Sequence, residues 1–237
     1  MPRLTIPQRY TAGLLLLTMS TGVIDATSYL ALDRVFTGNM TGNVLFIGFA
    51  LVGVPGIPLL NNVVALSGFV FGSILSGRIL GRRYDQGFPT RSVATLAGGA
   101  VIASGLLATW VVVRDLAQPG LLVVTFLLAV VMGSQVTAVK PIGNSDVTTI
   151  VVTNTVANLA RDSRLAGGPG ERWIPRLLAV AAMGVGAAIG AGLIRFSGGP
   201  AALGSALVIF VAGAMVLGIT HRSAAMDTPV NRAGEQG

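Results

Sequence analysis

The sequence contains no cysteine, a single histidine and few charges, which make up 11% of its 237 residues. Without cysteine there is no disulfide, no thiol chemistry and no cysteine-based metal site. The lone histidine, His221, sits just beyond the last apolar run. It supplies neither a serine–histidine pair nor a metal cluster, so neither an enzyme nor a cofactor is expected. Acids are scarcer than bases, with 9 Asp and Glu against 16 Lys and Arg. The resulting charge of +7 and pI near 11.2 invite a nucleic-acid reading. However, the basic residues are scattered through short loops and form no stripe, so no nucleic-acid partner is expected. In a membrane protein such an excess reports orientation.

What the chain has in abundance is apolar sequence, 52% hydrophobic with a mean hydropathy of +0.76, and glycine, 32 residues. Six stretches are long enough to cross about 30 Å of hydrocarbon at about 1.5 Å per residue. They are Thr11–Leu32, Asn61–Leu80, Ser92–Val113, Gly120–Val139, Trp173–Ile194 and Pro200–Thr220. The first follows a short basic N-terminal segment with no convincing cleavage site, and it is read as an uncleaved helix. Trp110 and Trp173 lie near helix ends, as interfacial anchors do. The polar tail from Ser223 to Gly237 reads as disordered.

Two further segments do not behave as spans. Phe36–Gly53 begins in Val35–Val44, VFTGNMTGNV, where two Thr-Gly-Asn triplets interrupt an otherwise apolar stretch. Val147–Ala160 carries several threonines and asparagines, and as a helix it is too short to cross the hydrocarbon. If both dip in and return, and the N-terminus is cytoplasmic, only Arg34, Arg114 and Arg195 fall outside. Eight full spans would scatter the basic residues almost evenly, so the positive-inside rule favours six spans and two re-entrant half-helices. Thr37 and Thr41 recur as Thr149 and Thr153 at one constant offset, and several apolar segments align at the same offset. The expected fold is an all-α polytopic membrane protein, one domain, with an inverted three-plus-three repeat (halves 11–113 and 120–220). Both termini would then be cytoplasmic.

Polar sequence at membrane depth survives where it is buried in protein or lines a water-filled cavity. Thr37, Asn39, Thr41, Gly42 and Asn43 are therefore candidates to build and cap a half-helix whose N-terminal amides face a ligand. Thr149, Thr153 and Asn154 would do the same in the second half, and Gln135 would face the same cavity. Asp25 is the only acid inside a span. Intramembrane acids are functional-site hypotheses by default, and the alternative is an acid satisfied by neighbouring hydroxyls and amides.

The stretch GVIDATSYLALDRVFTGNMTGNVLFIG, with its acid-Ala pair and Thr-Gly-Asn core, resembles the signature of the YoaK-like bacterial membrane proteins, the domain-of-unknown-function 1275 family. MGSQVTAV and TTIVVTNTVANLA resemble its later motifs less closely, since Asn154 stands where glycine is expected. The resemblance implies a bacterial inner-membrane protein of about six spans, and it carries no catalytic or binding residue across. The residues leave two functions open. One is a small-solute transporter or channel with a central polar cavity. The other is a non-transporting membrane sensor or assembly protein. The partners expected are the lipid bilayer and, for a transporter, an unidentified small solute.

Overall fold

The computed structural model describes residues 4–81, 88–143, 152–170 and 173–233. Among these residues the regular structure is helical throughout, in the order α1 (Ile6–Ala31), α2 (Met40–Leu51), α3 (Leu59–Leu80), α4 (Thr90–Val113), α5 (Gln118–Val139), α6 (Val152–Arg161), α7 (Trp173–Ser197) and α8 (Gly199–Ala233). Proline marks several starts, where a missing N–H loses nothing. Pro58 and Pro89 immediately precede α3 and α4, and α1 and α5 carry proline in the first turn. Six helices are long and apolar enough to cross a membrane, and each contains or overlaps its expected span. The tail expected to be disordered from Ser223 is instead helical as far as Ala233, as the continuation of α8.

α1 and α5 are the most buried spans. α1 packs against α7 and α8, and α5 packs against α3 and α4, while α1 and α5 themselves touch at few residues. Each principal crossing is a glycine contact. A methyl group at Gly186 would collide with the carbonyl oxygen of Met19, and one at Gly22 with that of Met183. On the other side, a methyl at Gly72 would collide with the Val130 carbonyl, and one at Gly133 with the Phe69 carbonyl. Lipid gives helices no hydrophobic drive to associate, so close backbone approach and interhelical hydrogen bonds hold them. Ser134 and Ser73 supply such bonds between α5 and α3, donating to the carbonyls of Gly72 (3.1 Å) and Gly133 (3.2 Å). Ser20 donates to Ala206 at 2.8 Å between α1 and α8.

The helix directions follow from the core. One cluster joins Leu32, Leu106 and Trp110, late in α1 and α4, to Ala65, Val124 and Leu203, early in α3, α5 and α8. A second, at the other end, joins Leu17 and Leu96 to Ala138 and Leu217. Thus α3 begins at the end of the bundle where α1 finishes, and α2 lies between them. A polar relay fixes the junction. Asn61 at the start of α3 donates to Asp33 at 3.0 Å, and Gln118 at the start of α5 donates to Asn61 at 3.4 Å. Trp110 is not an interfacial anchor. It is buried, and a methyl at Gly199 would meet its ring, whereas Trp173 is half exposed.

α6 is strongly amphipathic, unlike the other helices, and it packs against α7. Its tie is electrostatic. Arg176 of α7 donates to the Asn158 carbonyl at 3.0 Å and to Asp162 at 2.7 Å, and Arg161 pairs with the same carboxylate at 2.8 Å. These two guanidinium groups lower the Asp162 pKa to about 2.

Two outcomes are expected. Gly186→Ala destabilises the bundle by about 1–3 kcal/mol through overpacking, whereas Gly184→Ala, which meets open space, leaves the melting temperature in detergent unchanged or slightly raised. Equal melting temperatures for the two variants would refute the glycine-contact account. For Asp162 the folded pKa lies below the ordinary value of 3.8, so its contribution is complete above 3.8 and is lost as pH falls through about 2. The distance between spin labels at Asn154 and Leu177 therefore stays narrowly distributed down to about pH 4 and broadens towards pH 2. Broadening near neutral pH would mean that another interaction holds α6.

Candidate functional site

Asp25 lies six residues before the end of α1, about 9 Å inside it at the helical rise. Its carboxylate is buried, and the backbone N–H of Gly38 donates to it at 2.7 Å. The Gly38 N–H is the backbone donor to this carboxylate, and it lies just before the N-cap of α2, Asn39. Space at Gly38 is tight. A methyl there would stand 3.1 Å and 3.2 Å from the two carboxylate oxygens and 3.1 Å from the Thr21 methyl.

The two Thr-Gly-Asn triplets do different work. In the first, Asn39 is the N-cap of α2 and accepts from the Gly42 amide at 3.4 Å. In the second, the wholly buried Asn43 locks onto the backbone of Phe36. It accepts from that residue's N–H at 3.0 Å and donates to its carbonyl at 2.6 Å. Gly42 leaves room for the Phe36 ring, which stacks on Tyr29 at 5.0 Å and on Phe46 at 6.0 Å. Thr37 is buried and its hydroxyl has no hydrogen-bond partner. Thr41 is exposed and stands apart from Asp25.

On α5, Gln135 is buried and donates to the Thr21 hydroxyl at 3.1 Å, while its carbonyl oxygen has no partner. Thr21 precedes Asp25 by one helical turn and donates in turn to the Leu17 carbonyl at 2.9 Å. Asp25, Thr21, Gly38 and Gln135 thus form one buried polar cluster where α1 faces α5. The sequence reading missed Thr21, although its i, i+4 spacing from Asp25 was a signal.

The second half contributes less to this cluster than expected. Thr149 lies outside the described residues. Thr153 and Asn154 are exposed on α6, and Thr155 is the residue that α6 buries. In the first turn of α2 the Gly42 amide is capped by Asn39, and the Gly38 amide just before the helix is bonded to Asp25. Four cavities lined by described residues have volumes of about 860, 480, 500 and 210 Å³, and none is lined by Asp25, Thr37, Asn43 or Gln135. Among the described residues there is no group of three acids or histidines that would hold a metal ion.

Removing the carboxylate leaves the Gly38 amide without its acceptor, a loss of about 1.5–3 kcal/mol for a charge-assisted bond. Asp25→Ala is therefore expected to speed amide hydrogen exchange through residues 36–43 by at least about tenfold, and Thr41→Ala to leave it unchanged. Unchanged exchange in Asp25→Ala would remove the carboxylate as the anchor of this segment.

The profile of a family described as "Protein of unknown function (DUF1275)" matches residues 13–216. The chain is also 32% identical over 147 residues to the UPF0700 transmembrane protein YoaK of Bacillus subtilis (strain 168). That alignment covers 62% of this chain and 64% of the relative. No solved structure matches. With most of its length inside the family profile, its six long apolar helices and its similarity to a transmembrane protein, this chain belongs to the DUF1275 family of multi-span membrane proteins.

Proposed function

We propose that this chain is a small-solute transporter or channel of the bacterial inner membrane, with its basic end and both termini cytoplasmic. In this reading α2 and α6 are re-entrant half-helices and the two halves are an inverted repeat. The observation that carries the proposal is the buried cluster of Asp25, Thr21 and Gln135. It lies between the two packing units, and the unpartnered Gln135 oxygen and Thr37 hydroxyl belong to the same buried region. Unpaired polar groups at membrane depth are costly, and contact with water or a polar solute in another state of the protein relieves that cost.

The packing supports the repeat. At the offset that carries Thr37 onto Thr149, Met40 at the start of α2 falls on Val152 at the start of α6, and the buried Asn43 falls on the buried Thr155. The same offset exchanges the α1–α7 contact with the α5–α3 contact, and α2–α3 with α6–α7. Inverted repeats with interrupted helices meeting near the midplane are a recurrent transporter architecture.

A specific observation favours the second reading, a non-transporting sensor or assembly protein. The Gly38 amide, just ahead of α2, is bonded to the chain's own Asp25, and the Gln135 side chain is bonded to Thr21, so both groups have partners within the bundle. Two measurements separate the readings. Single cysteines at Val52 and Arg222, both exposed, are labelled in intact cells with an impermeant thiol reagent. Label at Val52 with protection at Arg222 is the expected pattern, and the reverse would overturn the orientation. The purified chain is then reconstituted in vesicles and assayed for flux of a panel of small polar solutes, with and without a proton gradient. Transport predicts a flux lost in Gln135→Leu and kept in Thr41→Val. A panel with no flux above empty vesicles would leave the non-transporting reading in place.

A further inference from the structure

An exposed apolar surface lies beside the first turn of α7, and it includes Leu165, the most exposed large apolar side chain among the described residues. A notch of about 860 Å³ opens there between α6, the turn that follows it and Trp173. Val156, Leu159 and Ala160, one face of amphipathic α6, form one wall. Leu165 is 101% exposed, Trp173 51% and Val156 46%. An amphipathic helix that turns its apolar face outward at a bundle's end is the pattern of an interfacial helix.

The charges around the notch have one excess sign. Arg164 lines it, exposed, with its stem against Gly170 and no acidic partner among the described residues. Arg161 and Arg176 both pair with Asp162. This end of the bundle also carries Arg9, Arg78, Arg91, Lys140 and Arg222. A cytoplasmic leaflet rich in anionic lipid attracts such an end by about 1 kcal/mol per basic residue.

We propose that the α6–α7 notch is a binding site for one anionic phospholipid. Its acyl chain lies along Val156, Leu159, Leu165 and Trp173, and its phosphate meets Arg164. The apolar wall is what commits the site to a lipid, since inorganic phosphate gains nothing from it. The proposal stands whether or not the chain transports a solute.

Trp173 reports on the site directly, because the other tryptophan, Trp110, is buried. The full chain is reconstituted in phosphatidylcholine vesicles with a minor share of brominated phosphatidylglycerol or brominated phosphatidylcholine, and tryptophan quenching is read. The brominated anionic lipid is expected to reach half-quenching at about fivefold lower mole fraction, the factor one basic residue contributes at such a surface. Arg164→Gln removes that difference, and Arg114→Gln at the opposite end keeps it. Trp173→Phe removes the lipid-selective quenching. Should Arg164→Gln fail to reconstitute, Leu165→Asn tests the apolar wall and is expected to weaken quenching by both lipids. Equal half-quenching by the two lipids in the unaltered chain would overturn the proposal. Loss of the preference on adding inorganic phosphate at constant ionic strength would overturn it too, by showing a free-anion site.

Discussion

The contact between the Gly38 amide and the Asp25 carboxylate is the one on which the first half of the molecule depends. A chain that interrupts its helices within a bundle frees backbone N–H groups, and lipid offers them no acceptor. Here α1 supplies an acceptor from its own side chain, and the Gly38 amide is bonded to it. The arrangement solves two problems together. The buried carboxyl group gains a hydrogen-bond donor without a basic residue, and the segment that leads into α2 is pinned to α1. Asn39 and Asn43 then satisfy the groups that Asp25 does not reach, the Gly42 amide and the backbone of Phe36. Each asparagine is used as a short, rigid backbone mimic rather than as a ligand group.

The same economy governs the helix crossings. Gly22, Gly186, Gly72 and Gly133 bring pairs of helices into backbone contact, and serines bond across them to carbonyl oxygens. α1 with α7 and α8, and α5 with α3 and α4, make two tight units. The units meet through α4 against α8 and through shared apolar clusters, while α1 and α5 touch at few residues and are linked there by the Gln135–Thr21 bond. In a low-dielectric interior a hydrogen bond is stronger and an unpaired group more costly than in water.

Much of the fold was legible because the membrane imposes length and charge rules on a sequence. The six spans were found by counting apolar residues, and each expected stretch lies in or overlaps a long apolar helix. Asp25, Asn43 and Gln135 were identified as polar groups at depth, and all three are buried. What sequence did not give was direction. On a short helix such as α2, residues two apart point to nearly opposite sides, so Thr41 and Asn43 part company although they read as one motif. The same holds for Thr153 and Thr155 on α6. Nor does spacing say that a backbone amide, rather than threonine or asparagine side chains, would satisfy Asp25. That outcome follows from the absence of a side chain at Gly38, which lets the chain approach. The tryptophans show the same limit, because a residue near a helix end faces lipid or a neighbouring helix according to rotation alone.

The two short helices correspond in position but not in the chemistry that holds them. α2 is tied by a buried carboxylate and a backbone amide, an interaction that salt screens little. α6 is tied by Asp162 to Arg176 and Arg161, with Arg161 73% exposed, and pairs of that kind weaken as salt rises. α2 also closes its apolar loop with the Tyr29–Phe36–Phe46 stack, whereas α6 leaves Val156 and the neighbouring Leu165 and Trp173 open. Their sequences account for the contrast. Met40–Leu51 is apolar nearly all round, so it stays within hydrocarbon or protein, while Val152–Arg161 has one polar and one apolar face and belongs at a boundary. One constant offset therefore relates where these helices start and what they pack against, and it does not relate their solvents. The first short helix buries Asn43 and its aromatic stack in the bundle; the second leaves part of its apolar face open.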